Sequence, residues 1–269
     1  FDDTYATLDN DYMESIWWIF KQIWDQGLIY SGHKSMHICP RCETPLSNFE
    51  VTQGYKDVTD LSVTCKFKLK GKGENVHILA WTTTPWTLPG NVALALGPDV
   101  KYVKFAIKNF PEYPDGTYIA AETFYKEKFE HYDKVGEGKV PKSAILETVD
   151  PKTLEGRDYE PLFDFYVDKL DGKTAYKIYL ADFVTTEDGT GIVHIAPMFG
   201  EDDYQFGLKH DLAMLQHVGM DGCFADAVKP WAGKFVKGQD LNVAVWLYDK
   251  GLLFEKQNYL AHKNNHKDL

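Results

Sequence analysis

An apolar strand that runs into a proline-broken, threonine-rich loop constrains the fold of this chain more than any other stretch. Residues 76–80 are apolar apart from one histidine, which predicts a β-strand. Three threonines follow at residues 82–84, and Pro85 prevents a strand or helix from continuing, because proline lacks a backbone N–H. Trp81 and Trp86 flank these hydroxyls. A rigid strand end of this kind suits a small polar ligand, although threonines that only satisfy turn carbonyls would give the same sequence.

A second polar strand end lies much later in the chain. The glycines at residues 189–191 predict a turn, residues 192–195 a short strand that carries His194, and residues 201–210 a helix. Asp203 lies in the first helical turn, where an acidic side chain interacts favourably with the helix dipole, so a purely structural role would also explain it. We expect the two strand ends to meet as the two halves of one pocket.

Short strands separated by turn residues indicate a β-rich core. The pattern predicts further strands at residues 61–69, 92–96 and 102–107, and helices at residues 9–27 and 123–129. Frequent short strands with turns between them are typical of a barrel or a sandwich.

Both strand ends match the signatures of a known family. Residues 82–91, Thr-Thr-Thr-Pro-Trp-Thr-Leu-Pro-Gly-Asn, resemble the threonine-rich peptide of the editing (connective peptide) domain of isoleucyl-tRNA synthetases, which are class I aminoacyl-tRNA synthetases. Residues 189–204 resemble the second signature of these domains, and the resemblance covers residues 5–259. It implies a mainly β fold with peripheral helices (α+β) around a closed six-stranded β-barrel core. It also implies three segments: a helical stem with a Cys-x-x-Cys segment at residues 1–49, the editing domain at residues 50–260 and a divergent tail at residues 261–269.

The resemblance implies post-transfer editing, which is hydrolysis of the aminoacyl ester of mischarged tRNA(Ile), chiefly Val-tRNA(Ile). It assigns catalytic roles to Asp203, Thr84 and His194, with Asp203 as the partner of the substrate ammonium. It assigns substrate binding to Thr82, Thr83, Thr84, Trp86, Asn91, His194, Phe199 and Asp203. The sequence offers no nucleophile with a paired base, so we expect attack by a positioned water, without a cofactor. Whether His194 acts as a base or as an orienting group stays open.

Cys39 and Cys42 form a Cys-x-x-Cys knuckle, which supplies two of the four ligands of a structural zinc site. The chain contains no second knuckle, so a site here would need His33, His37 or a distant cysteine. In the resembling family a later Cys-x-x-Cys pairs with this one, which implies zinc in the intact enzyme. Residues 261–267 do not match the family's continuation towards that second pair.

Composition restricts the partners of the chain. It has 29 basic and 40 acidic residues, and this net charge of −11 argues against a free-standing nucleic-acid binder, because phosphate contacts need clustered Lys and Arg. We therefore expect it to bind the aminoacylated 3′ end of tRNA(Ile), with its valine moiety, while the remainder of the synthetase holds the rest. The absence of a long apolar run and of a disulfide pattern predicts a cytoplasmic monomer with no membrane contact.

The sequence lacks the His-Ile-Gly-His and Lys-Met-Ser-Lys-Ser motifs of a synthetase active site, so we expect no amino-acid activation by this chain. Two other functions stay open. One is a module that binds aminoacyl-tRNA without hydrolysing it, and the other is a zinc-dependent hydrolase that uses Cys39, Cys42 and a histidine.

Overall fold

The computed structural model describes residues 6–32, 34–53, 55–71, 75–133 and 143–264, and it divides into two compact units, Phe1–Lys34 and Ser35–Leu269. The first unit contains helix α1 (Asn10–Asp25), which confirms the helix predicted from the apolar spacing. Within the described part of the chain, no helix has the length and apolar character needed to cross a membrane. The domain boundaries proposed above stay predictions.

In the described residues of the second unit there are two main sheets, a small hairpin and four α-helices. The strands are β1 (Ile38–Cys39), β2 (Thr44–Pro45), β3 (Tyr55–Lys68), β4 (Val76–Thr82), β5 (Ala93–Leu96), β6 (Tyr102–Ile107), β7 (Gly116–Ala121), β8 (Ser143–Val149), β9 (Lys177–Leu180), β10 (Ile192–Ile195) and β11 (Leu253–Asn264). The helices are α2 (Asn48–Gln53), α3 (Glu122–Asp133), α4 (Glu201–Lys209) and α5 (Asp240–Asp249). The strands predicted at residues 61–69, 76–82, 92–96 and 102–107 are confirmed in β3 to β6.

The larger sheet has six strands in the order β11-β3-β4-β7-β6-β8, and it is mixed because β4 and β7 run parallel. The smaller sheet has the order β10-β5-β9, with β10 antiparallel and β9 parallel to β5. A 3-10 helix, Pro85–Gly90, carries the chain from β4 in the first sheet to β5 in the second. The sequence change at Pro85 therefore marks the point where the chain leaves one sheet for the other.

The closed six-stranded barrel predicted from the resemblance is wrong, because both sheets are open and the fold is a mixed α/β fold. In the described residues β11 pairs only with β3, and β8 pairs only with β6. Closure is not needed to bury the apolar faces, since side chains of both sheets pack into one shared core that includes Ile78, Leu94 and Ile178. The outer edge at β8 is mostly exposed, and Glu147 there pairs with Lys104, which suits a strand that ends a sheet.

A second core lies on the other face of the larger sheet. Helix α3 packs Phe124, Tyr125 and Phe129 there, and Phe129 contacts Phe105 at 5.6 Å between ring centroids. Phe254 from β11 joins the same cluster and lies 5.0 Å from Tyr118, again between ring centroids. This aromatic core is separate from the shared core beneath the two polar strand ends.

Candidate active site

Residues 82–87, here called the threonine loop, form a chain of hydroxyl groups at the end of β4. The Thr84 N–H donates to Thr82 Oγ1 at 3.1 Å, and the two hydroxyl oxygens of these residues lie 3.2 Å apart. Thr84 Oγ1 in turn lies 3.3 Å from Thr87 Oγ1. The Thr87 hydroxyl donates to the Thr84 carbonyl at 2.8 Å, which closes the turn. Pro85 begins the 3-10 helix because its fixed φ is already helical and it needs no N–H partner there.

His194 lies on β10, opposite Leu94 of β5, and its Nε2 is 3.1 Å from Thr87 Oγ1. We assign the hydrogen of this contact to His194 Nε2, because the Thr87 hydroxyl has one hydrogen and its 2.8 Å contact with the Thr84 carbonyl uses it. The other ring nitrogen, Nδ1, is buried and accepts no hydrogen bond from the described residues. In this assignment Nδ1 carries no hydrogen, and its burial keeps it out of contact with solvent.

Burial keeps His194 neutral. The residue is 8% exposed, and the loss of hydration lowers the pKa of His194 to about 4, with a smaller contribution from the nearby imidazole of His217. A histidine in this environment is a hydrogen-bond partner near neutral pH, and it is a weak base.

Asp203 lies in the first turn of α4, and its carboxylate is directed back towards the end of β10. Its Oδ2 accepts a hydrogen bond from the Ala196 N–H at 2.9 Å. Burial raises the pKa of Asp203 to about 6; the Ala196 hydrogen bond opposes this rise, and the neighbouring charge of Asp202 adds to it. A partly desolvated carboxylate of this kind gains more from a cationic ligand than an exposed one does.

The two strand ends meet in one cavity of about 350 Å³. Its walls carry hydroxyl, imidazole and carboxylate groups as well as apolar and aromatic surface: Trp81, Thr82, Thr83, Phe183, Thr185, Asp188, Thr190, Gly191, Ile192, Val193, His194 and Asp203. The structure thus brings together four of the residues that the sequence assigned to the site. Thr84 is one hydrogen bond behind the wall, where it contacts Thr82.

Three other residues of the predicted binding set lie elsewhere. Asn91 is buried, with its Nδ2 donating to the Ala93 carbonyl at 2.9 Å and its Oδ1 accepting from Tyr159 at 2.7 Å. Trp86 and Phe199 contact each other edge to face, with 5.6 Å between ring centroids, and they line a separate cavity of about 310 Å³. In this structure the three side chains support the site from behind.

Sequence reasoning missed several residues of the site. Thr87 was unassigned, although its position three residues after Thr84 and two after Pro85 suits a hydroxyl that closes a 3-10 turn. Asp188, Thr185 and Phe183 lie in the segment before the glycine turn, where no local pattern distinguishes them. His217 lies behind the threonine loop and is fully buried, and only the tertiary structure reveals this position.

The Cys39 and Cys42 pair does not complete a metal site. The two cysteines lie around the β1–β2 hairpin turn, and hydrogen bonding from the Cys42 backbone lowers the pKa of Cys39. Among the residues that the structure describes, no group of three His, Cys, Asp or Glu side chains is arranged to hold a metal ion. His33 lies outside the described residues. The described residues therefore supply a half-site at most, and zinc in the intact enzyme stays a prediction.

Comparison with known proteins identifies the family of the chain. The sequence model of the protein family described as tRNA synthetases class I (I, L, M and V) matches residues 1–263. The isoleucine–tRNA ligase of Clostridium kluyveri is 44% identical over 258 residues, which is 96% of this chain and 23% of that protein. The isoleucine–tRNA ligase of Thermoplasma volcanium is 40% identical over 255 residues, or 95% of this chain and 23% of that protein.

A solved structure shares the fold. GlLeuRS-CP1 matches with a TM-score of 0.50 and 14% identity, over 73% of this chain and 98% of that one. The chain spans about a quarter of the length of the isoleucine–tRNA ligases that it matches, namely 23%. These matches confirm the resemblance drawn from the two signatures, and the chain belongs to the class I tRNA synthetase family of the isoleucine, leucine, methionine and valine enzymes.

Proposed function

We propose that this chain is an editing domain that hydrolyses the aminoacyl ester of mischarged tRNA(Ile), chiefly Val-tRNA(Ile), within a longer synthetase. The observation that carries the proposal is the shared cavity, in which the Asp203 carboxylate, the His194 imidazole and the hydroxyls of Thr82 and Thr83 line one space. Such a space offers complementary partners to an α-ammonium, an ester and a ribose hydroxyl, the polar groups at the 3′ end of an aminoacyl-tRNA.

A separate hydrolytic site is needed because binding alone discriminates poorly between amino acids of similar shape. A pocket built for isoleucine cannot strongly reject valine, because one missing methylene changes binding by only about 1–3 kcal/mol; isoleucine enzymes are the established example of this limit. A second pocket that accepts the smaller amino acid can remove the errors. We propose that the fixed hydroxyl and imidazole walls of the cavity set this second size limit.

Asp203 is the proposed anchor of the substrate ammonium. Its carboxylate is half-buried and accepts one backbone hydrogen bond, from Ala196, so an oxygen is available for a charge-assisted hydrogen bond. Asp202, the preceding residue, is exposed and lines a different cavity beside Lys209. The two neighbouring acids therefore have different surroundings, and Asp203 is the one of the two that lines this cavity.

We assign His194 the role of orienting the attacking water or the terminal ribose hydroxyl. The low pKa of His194 makes it a poor acceptor of a full proton. Because Nδ1 is buried and Nε2 contacts Thr87, we propose that His194 acts through the position of the threonine loop. In the reaction the water oxygen bonds to the ester carbonyl carbon, and the bond from that carbon to the ribose oxygen breaks. One water proton goes to the ribose oxygen, the other is released to solvent, and the amino acid leaves as a carboxylate. Loop hydroxyls and amides are the proposed donors to the developing oxyanion.

One assay tests this proposal against the two alternatives. The chain is mixed with Val-tRNA(Ile) or Ile-tRNA(Ile), each labelled on the amino acid, and release of the label is followed with and without a metal chelator. We expect faster release of valine than of isoleucine and no effect of the chelator. Binding of aminoacyl-tRNA without release would favour the binding module, and loss of release with the chelator that zinc restores would favour the zinc-dependent hydrolase.

A further inference from the structure

His217 lies directly behind the threonine loop. It is 0% exposed, and its Nε2 lies 2.9 Å from the backbone carbonyl oxygen of Trp86. A carbonyl oxygen can only accept, so His217 Nε2 carries a hydrogen and donates it. The residue after Trp86 is Thr87, which makes the contact with His194.

The His217 ring has little freedom to move. Its centroid lies 4.3 Å from that of Phe199, and Phe224 stacks on it at 6.1 Å. The backbone of Gly90 closes a further side, because a Cβ added there would lie 2.5 Å from His217 Nδ1. The hydrogen bond to Trp86 is therefore made by a ring that the surrounding packing already orients.

The Trp86 residue is held at both of its backbone groups. Its N–H donates to Asp240 Oδ1 of α5 at 3.2 Å, and its carbonyl accepts from His217. The 3-10 helix is only six residues long, from Pro85 to Gly90, and so short a helix has few hydrogen bonds of its own to fix its position. Contacts from outside must determine where Thr87 stands relative to His194.

We infer that His217 is a positioning residue for the hydrolytic site: its hydrogen bond to the Trp86 carbonyl sets the position of the threonine loop, so that Thr87 meets His194. The inference rests on the proposed function and adds a residue that does not line the cavity. It also gives Phe199 a role in the packing around the His217 ring, and Trp86 a role as the loop residue whose carbonyl accepts from His217.

The test compares three variants of the chain by single-turnover deacylation of Val-tRNA(Ile). His217→Leu removes the donor, His217→Gln keeps an N–H near the position of Nε2, and Phe105→Leu creates a comparable packing defect in the separate aromatic core. At a temperature well below all unfolding midpoints, we expect His217→Leu to lower the deacylation rate constant at least tenfold, with less than a threefold change in the enzyme concentration at half-maximal rate. We expect the deacylation rate constants of His217→Gln and Phe105→Leu to stay within threefold of that of the unsubstituted chain.

Each other outcome overturns the inference. An active His217→Leu variant would show that the loop needs no such support, and an equally inactive His217→Gln variant would show that the hydrogen bond is irrelevant. If Phe105→Leu lowers the deacylation rate constant as much as His217→Leu does, the loss of activity reflects general destabilisation. Should the unsubstituted chain release no valine, the proposed function fails. The positioning role is then read from the ¹⁵N shifts of the His194 ring, where an unchanged Nε2–H form in His217→Leu contradicts it.

Discussion

Thr87 Oγ1 and His194 Nε2 lie 3.1 Å apart, although 107 positions separate the two residues in the chain. This contact joins the threonine loop of one sheet to a strand of the other. It also fixes the protonated nitrogen of His194, since the Thr87 hydroxyl hydrogen is used by the Thr84 carbonyl. The chemistry proposed for the cavity depends on this contact between the two sheets.

Removing the Thr87 hydroxyl should therefore impair hydrolysis. In Thr87→Val the side chain keeps its shape but leaves His194 Nε2–H without an acceptor, a loss of about 1–3 kcal/mol for a buried donor. We expect deacylation of Val-tRNA(Ile) to slow about fivefold or more, measured in single-turnover assays. Thr87→Ser retains the hydroxyl and serves as the control. Equal rates for the valine and serine variants would contradict the role of this contact.

The local elements of this fold could be predicted, whereas the pairing of the sheets could not. Apolar spacing and the stop at Pro85 locate β4 and the loop, because both signals lie within a few neighbouring residues. Whether β8 pairs with β11 to close a barrel depends on contacts between distant segments, which no local pattern reports. For the same reason His194 and Asp203 were found through their sequence signature, but Thr87 and His217 were not: their importance comes from partners 107 and 131 positions away. The roles assigned to the individual site residues stay predictions.

The buried histidines should make stability depend on pH. Burial lowers the pKa of His194 and of His217 to about 4, from an ordinary value of 6.5. Between pH 4 and 6.5 the unfolded chain binds more protons at these residues, so their contribution to stability is present above pH 6.5 and is lost as pH falls towards 4. Asp203 opposes this trend, because burial raises its pKa from 3.8 to about 6. Between these two pH values the folded chain binds more protons at Asp203 than the unfolded chain does, so acidification there stabilises the folded state.

We expect a net loss of unfolding free energy on the order of 3 kcal/mol on going from pH 7 to pH 4, measured by urea denaturation. His217→Gln removes one of the two titrating rings, so its stability should fall less steeply with acid. An identical pH dependence in this variant would show that His217 does not titrate as its burial suggests.

The activity should have its own acid limit, which comes from Asp203. Burial raises the pKa of Asp203 to about 6, and the carboxylate must be ionised to pair with the substrate ammonium. We expect kcat/KM for Val-tRNA(Ile) to fall as pH drops below neutrality, with half of the plateau value near pH 6. An Asp203→Asn variant should be slow and independent of pH in this range. A midpoint near pH 4 in the unsubstituted chain would mean that Asp203 is not desolvated in the working site.

The net charge of −11 should make the affinity of the chain for tRNA low and dependent on salt. We expect binding of uncharged tRNA to be weak at physiological salt and to weaken further as salt rises, measured by fluorescence anisotropy. The ester and the terminal adenosine would then supply most of the recognition. Tight binding of uncharged tRNA at physiological salt would be incompatible with the proposed division of labour between this chain and the rest of the synthetase.

The comparison of Asp203→Ala with Asp202→Ala tests the central claim most directly. Asp203 lines the cavity with His194, whereas Asp202 is exposed and lines another one, as expected for neighbours about 100° apart on a helix. Loss of a charge-assisted hydrogen bond of about 1.5–3 kcal/mol predicts at least a tenfold slower release of valine from Val-tRNA(Ile) by Asp203→Ala. Asp202→Ala should release valine at a rate within about twofold of the unsubstituted chain, because a single exposed charge contributes little. An Asp203→Ala chain that deacylates Val-tRNA(Ile) as fast as Asp202→Ala would contradict the account.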